Sequence, residues 1–197
     1  MRMLMIGLCC ALALAGCDSK PPVPKVSFVS TDVTGLDIGK GFELTDHTGH
    51  GRTLADYQGK VVAVFFGYTH CPDVCPTTLV DLANVKKQLG ADGDKLQVLF
   101  ITVDPERDTQ ELLAEFVPAF DSSFVGLRGD KAQTEKVEKD FKIFAQKVMA
   151  KDGKSYTIDH TAGTYLFDAQ GRVRLFVKHG QDAALLVADI RQLIRGM

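Results

Sequence analysis

The 197-residue sequence carries no marked excess of either charge: 23 Lys plus Arg face 25 Asp plus Glu, for a formal net charge of -2. No cluster of lysine and arginine interleaved with aromatics occurs, so nucleic acid is not an expected partner. Internal repeats and low-complexity runs are also missing, which removes solenoids and arrays from consideration. The most apolar run, Met3 to Gly16, falls short of the roughly 20 residues that span a membrane. Cysteine is scarce, five residues in all. What is present is ordinary for a globular protein: 45% hydrophobic and 24% charged residues, enough for one well-buried domain with no composition shift to suggest a second.

The N-terminus has its own pattern. Met1-Arg2 is a short basic start, MLMIGLCCALALAG has the length of a signal-peptide apolar region, and Cys17 is followed by the polar Asp18-Ser19-Lys20. Leu14-Ala15-Gly16-Cys17 resembles the lipobox of bacterial lipoproteins, whose signal peptide is cut before the cysteine and whose cysteine is acylated. Residues 1–16 are therefore expected to be a signal peptide, Cys17 the lipidation site and 17–34 a lipid-attached tether containing prolines. Asp18 resembles an inner-membrane retention signal, which gives the periplasmic face of the inner membrane as the expected location. Cys9 and Cys10 leave with the signal peptide and Cys17 carries lipid. Cys71 and Cys75 then remain as thiols, in a compartment where disulfides persist.

Residues 35–197 read as a single domain. Gly41 to Leu54 alternates around a glycine-rich turn and predicts a hairpin. VVAVFF (Val61 to Phe66) is a continuous apolar run, the pattern of a strand buried on both faces, and LQVLFITV (Leu96 to Val103) repeats that pattern. Between them Leu79, Leu82, Val85 and Leu89 mark one side of a helix over 77–89. Thr109 predicts a helix N-cap, Phe124 to Leu127 a short strand, and 131–144 a helix. Two strands flank the turn Asp168-Ala-Gln-Gly171, and a helix over 182–194 closes the chain. This order predicts an α/β thioredoxin-like fold with a mixed central sheet, an N-terminal hairpin and a C-terminal β-hairpin plus helix.

The stretch FFGYTHCPDVCPTTL, where the first buried strand meets its helix, carries the chemistry. Pro76 disfavours helical geometry at Cys75 and suits the first helical position, so Cys75 is expected at the N-cap and Cys71 in the loop before it. Both thiols would then feel the positive end of the helix dipole, which favours thiolate. A structural disulfide closing so short a loop removes little unfolded-state entropy, so reactivity explains the pair better than stability does. Two thiolates do not complete a zinc site but suit Cu(I), with a histidine as third ligand. Among the five histidines, His47 and His50 lie on a turn, His70 adjoins Cys71, and His179 follows a strand end with no evident partner. His160, directly before the strand GTYLF, is best placed, although a lone histidine is more often structural.

Three blocks, GYTHCPDVCPTTL, VDPERDT (Val103 to Thr109) and DHTAGTYLFD (Asp159 to Asp168), together resemble the SCO/SenC family of copper-binding, thioredoxin-like proteins. The resemblance implies copper, Cu(I) or Cu(II), held by Cys71, Cys75 and His160. It also implies a partner, the binuclear Cu-A site in subunit II of cytochrome c oxidase, to which the family supplies copper or whose thiols it reduces. A periplasmic copper donor and a thiol reductant are further implied partners. Cys71 and Cys75 must be reduced to bind metal, so their disulfide would be a metal-free state. A thiol-disulfide oxidoreductase is the rival reading, and it needs the cysteines but not His160. A thiol peroxidase fits less well, because no arginine lies near the box. Asp73 is a candidate helix cap or outer-shell group. Asp159 is not expected to orient His160, since neighbouring strand residues face opposite ways. Asp104 and Arg107 are read as parts of a solvated turn.

Overall fold

In a computed structural model, residues 27–151 and 153–196 are described. Among them the strands form one eight-stranded sheet, in the order β1-β10-β9-β4-β5-β6-β2-β3, and a separate two-stranded sheet, β7-β8. Their ranges are β1 Thr31–Asp32, β2 Glu43–Asp46, β3 Gly51–Thr53, β4 Val61–Gly67, β5 Leu96–Thr102, β6 Val125–Arg128, β7 Ala145–Met149, β8 Tyr156–His160, β9 Gly163–Phe167 and β10 Val173–Lys178. Four α-helices accompany them: α1 Val74–Leu89, α2 Gln110–Phe116, α3 Lys131–Phe141 and α4 Ala183–Arg195. The predicted β2–β3 hairpin forms with Glu43 opposite Thr53.

The centre of the sheet is β4, parallel to β5 on one side and antiparallel to β9 on the other. Every residue of β4 and β5 is buried, as their largely apolar runs require of strands covered on both faces; the polar Gln97 and Thr102 of β5 are buried with hydrogen-bond partners. Successive side chains alternate in direction. Phe65 lines a small cavity with Thr78 and Leu82 of α1 and Leu186 of α4. Phe66 points the opposite way, onto Phe141 of α3 at 5.1 Å between ring centroids. On the α1 side Gly126 of β6 lies against α2, where an added Cβ would meet Val117 at 3.0 Å and Leu113 at 3.3 Å. Parallel β4 and β5 thus need the α1 crossover, and their C-terminal ends come out together with the β4–α1 loop, where this layer architecture places its sites.

Three differences from the sequence reading have physical causes. Residues 29–34, read as the end of a tether, belong to the domain. Asp189 of α4 is fully buried and accepts hydrogen bonds from Val29 N (2.9 Å), Ser30 N (2.8 Å) and Ser30 Oγ (2.6 Å), and Thr31–Asp32 pairs with β10. α3 ends at Phe141 rather than Phe144, because Lys142 takes a left-handed conformation (φ 55°) that stops the helix. The chain then forms the β7–β8 hairpin, which the sequence reading missed. Its signal was Asp152-Gly153 between two short runs, a dipeptide that favours tight hairpin turns. The expected signal peptide, 1–16, and lipidation site, Cys17, lie outside the described residues. Among the described residues no helix is long and apolar enough to cross a membrane.

Candidate metal centre

Cys71, Cys75 and His160 converge. One ligand atom from each lies within 4.8 Å of the other two, the one such Cys/His/carboxylate group among the described residues. Cys75 Sγ is 3.6 Å from His160 Nε2. Metal–sulfur and metal–nitrogen bonds of about 2.3 and 2.0 Å in a trigonal plane would put those two atoms about 3.7 Å apart. The donor set is two soft sulfurs and one imidazole, and both cysteines are free thiols. The residues fit a copper ion with little movement.

Each ligand is placed by a different device. α1 begins at Val74, one residue before the position expected for its cap, so Cys75 lies in the first turn and Pro76 follows at the third helical position. The proline is tolerated there because the first N–H groups of a helix have no intrahelical acceptor to lose. Asp73 occupies the N-cap but its side chain makes no capping bond to the backbone. It instead receives a 3.4 Å contact from Thr77 Oγ1. The capping role passes to sulfur: Cys75 N–H donates to Cys71 Sγ at 3.4 Å. Cys71 is half-buried, whereas Cys75 is fully buried beneath Gly67. That burial, reinforced by the interaction of the Cys75 thiol with the neighbouring Cys71 side chain, pushes the Cys75 thiol well above its ordinary range. The expected helix-dipole activation of Cys75 is therefore overridden by desolvation.

His160 ends β8, opposite Ala145 of β7. Its Nδ1 lies 3.1 Å from Thr161 O, which assigns the proton to Nδ1 and leaves the Nε2 lone pair facing Cys75. Desolvation lowers its pKa, against an opposing effect of the Thr161 carbonyl, so the ring is neutral and able to ligate near pH 7. Phe65 and Tyr68 enclose the ring at 6.4 and 5.9 Å between centroids. Asp159 is exposed and does not orient the imidazole, as the alternation of strand side chains implied. An open groove of about 380 Å³ reaches the site between Pro72, Asp73 and Val74 on one wall and Thr157, Asp159 and Ala162 on the other.

The other histidines do not join the cluster. His47 Nδ1 accepts from Gly126 N, His50 pairs with Thr48, and His70 Nδ1 lies 3.0 Å from Thr69 Oγ1. His179 does have a partner: its Nδ1 is 3.0 Å from Thr78 Oγ1 on α1. Asp104 and Arg107 are not in a solvated turn. Asp104 is 1% exposed, and Arg107 is clasped between it and Tyr156. Sequence reasoning also passed over Asp108, fully buried, whose carboxylate accepts from Thr69 N, Thr69 Oγ1 and Thr102 Oγ1.

A buried strand running into a helix, two thiols at that junction and a histidine brought in from a hairpin before β9 define a thioredoxin-like domain with a Cys2His metal cluster. The SCO1/SenC family profile matches residues 31–195. The chain belongs to that family. A SCO2-like protein of Rickettsia prowazekii is 38% identical over 145 residues, covering 73% of this chain and 69% of the relative. The mitochondrial SCO2 homolog of Bos taurus is 35% identical over 158 residues, 79% of this chain but 59% of the relative's length. The structure of Bradyrhizobium japonicum ScoI with copper bound matches with a TM-score of 0.73 at 42% identity, covering 79% of this chain and 99% of that one.

Proposed function

We propose that this protein is a copper chaperone that carries copper as cargo on Cys71, Cys75 and His160 and supports assembly of cytochrome c oxidase, at the Cu-A centre of subunit II. The observation that carries the reading is the 3.6 Å approach of His160 Nε2 to Cys75 Sγ with Cys71 in reach, a donor set of the right softness and geometry. The family resemblance, and the copper bound by the 42%-identical ScoI, support it. The sulfurs hold Cu(I) well, and the imidazole adds affinity for Cu(II). Burial of Cys75 disfavours a lone thiolate, so its proton leaves as the metal's positive charge arrives. The protein is anchored at the periplasmic face of the inner membrane by lipid on Cys17, after removal of residues 1–16. The remainder of 17–34 that precedes Val29 is the tether.

The test is a titration of the reduced full-length protein with Cu(I) and Cu(II) against a competing chelator, beside His160→Ala and Cys71→Ser/Cys75→Ser. Tight binding of a single equivalent, weakened by the first change and abolished by the second, is expected. Failure of the wild type to hold copper would overturn the chaperone reading.

One observation favours a second activity, thiol-disulfide exchange with the target's cysteines: two free sulfurs, one half-buried and one fully buried. The Cys71 thiolate would attack a partner disulfide, forming a mixed disulfide and releasing one partner thiolate. Cys75, as thiolate, would then attack Cys71 Sγ, leaving a Cys71–Cys75 disulfide and a second reduced partner thiol. His160 is dispensable for that reaction, so a His160→Ala variant that still reduces an oxidised target would separate the two roles.

A further inference from the structure

The two halves of the metal cluster are on different elements, the cysteines on the β4–α1 junction and the histidine on the β7–β8 hairpin, and one loop touches both. On the cysteine side, the buried Asp108 carboxylate holds Thr69 through its N–H (3.0 Å) and hydroxyl (2.6 Å), two residues before Cys71. On the histidine side, Arg107 stacks its guanidinium over the Tyr156 ring at 3.6 Å and donates from Nη1 to Tyr156 O at 3.0 Å. The same guanidinium lies 5.7 Å from the Tyr68 ring, and Tyr68 OH in turn accepts the Ile158 N–H at 3.2 Å. Asp104 receives Arg107 Nε and, at 2.9 Å, the Tyr156 hydroxyl. Lys147 of β7 pairs with Glu106 at 2.6 Å. Tyr156, Ile158 and His160 share one face of β8, so a clamp on the first two sets the third.

We propose that Arg107 is a positioning residue for His160: from the loop that also fixes the cysteine side through Asp108, it holds the β7–β8 hairpin in the register that brings His160 to the two sulfurs. This rests on the copper reading above. Arg107 touches no ligand atom, and the hairpin is a two-stranded sheet separate from the central one, of a size marginal on its own. Without the clamp, Cys71 and Cys75 stay where the β4–α1 junction and the Asp108–Thr69 bonds put them, and only the imidazole is released. The consequence is selective. Cu(II), which depends on the imidazole, weakens, while Cu(I), held by two sulfurs, barely changes.

The experiment compares full-length wild type, Arg107→Ala, Arg107→Lys, His160→Ala and the Arg107→Ala/His160→Ala pair. Cu(II) and Cu(I) affinities are measured by chelator competition, the thiolate-to-Cu(II) absorption band is recorded, and amide exchange across β8 is followed in the metal-free proteins. Arg107→Ala is expected to lower Cu(II) affinity by about 10- to 100-fold, the usual cost of losing an outer-shell group. It should shift the absorption band toward that of His160→Ala, and add nothing further in the His160→Ala background. Arg107→Lys, which keeps the charge but loses the planar fork, should recover the affinity only in part and serves as the variant that folds if alanine does not. The Ile158 amide should exchange faster in both Arg107 variants without any metal. Wild-type Cu(II) affinity and spectrum in folded Arg107 variants, or unchanged exchange in β8, would overturn the proposal. Loss of Cu(I) and Cu(II) binding alike would also overturn it, by making Arg107 a general support of the fold. If wild type binds no copper the chaperone reading fails, and the metal-free exchange result still decides whether Arg107 holds the hairpin.

Discussion

Cys71 Sγ accepts the backbone N–H of Cys75 across 3.4 Å, so the first ligand of the cluster caps the helix that carries the second. The hydrogen bond makes the two sulfurs unequal. Cys71 sits half-exposed with a donor aimed at it, and Cys75 lies beneath the sheet end with no access to solvent.

That inequality predicts ordered alkylation. With the metal-free dithiol protein and iodoacetamide at pH 8, Cys71 should be modified at least about tenfold faster than Cys75, because Cys75 is buried and its burial disfavours the thiolate. Peptide mass mapping at early times would show this. Equal rates, or Cys75 first, would mean that the helix start opens in solution.

Gly67 makes the room for Cys75. A Cβ there would stand 2.8 Å from Phe100, 3.0 Å from Cys75 Sγ and 3.1 Å from Phe65. Gly67→Ala should therefore destabilise by about 1–3 kcal/mol in urea unfolding, as overpacking does. It should also weaken Cu(I) and Cu(II) together by moving a sulfur. A variant that loses stability but keeps both affinities would show that the Phe rings, rather than Cys75, give way.

Asp189 joins the chain entry to α4. Replacing it with alanine leaves the Val29 and Ser30 N–H groups without their acceptor, Ser30 being buried. A loss of about 2–4 kcal/mol is expected, together with faster proteolysis around residues 27–34. Unchanged stability would return residues 29–34 to the tether.

Glu138 supplies the pH dependence. Desolvation, with a smaller push from Glu135, raises its carboxyl to about 7. A carboxyl whose folded pKa exceeds its unfolded one contributes stability that is full below about pH 4.5 and is lost as pH rises through about 7. Glu138→Gln should match wild type near pH 4.5 and exceed it at pH 8, by about 1 kcal/mol after allowing for solvent screening at a half-exposed site. Thermal melts at the two pH values decide it. A variant no more stable than wild type at pH 8 would mean that the carboxylate is ionised without cost.

Much of this protein is legible without coordinates. The run at Val61 is apolar throughout and the run at Leu96 nearly so, the pattern of buried central strands; the one amide, Gln97, is buried and donates to Val98 O and Ser123 O instead of facing water. Thr109 caps α2 as its position promised, accepting from Leu112 N at 3.2 Å. Cys71 and Cys75 stand out for the same local reason: two thiols at a strand-to-helix junction bring their chemistry with them. Asp104 and Arg107 were misread because their environment comes from a segment about 50 residues away, whereas the β7–β8 hairpin was missed although its Asp152-Gly153 signal is local. Arg107 in a run of charges looks solvated until Tyr156 is packed over it.

Local sequence thus determined the central strands, most helix boundaries and the candidate ligands, because periodicity, caps and turn residues act within a few positions. The tertiary structure decided what those ligands can do together. His160 is separated from Cys75 by 85 residues, and only the antiparallel pairing of β9 with β4, with the hairpin clamped beside it, brings Nε2 to 3.6 Å from the sulfur. Burial is likewise a property of the packed whole. It kept the Cys75 thiol protonated where the helix dipole alone argued for thiolate, because removing water from a charge outweighs a partial dipole nearby.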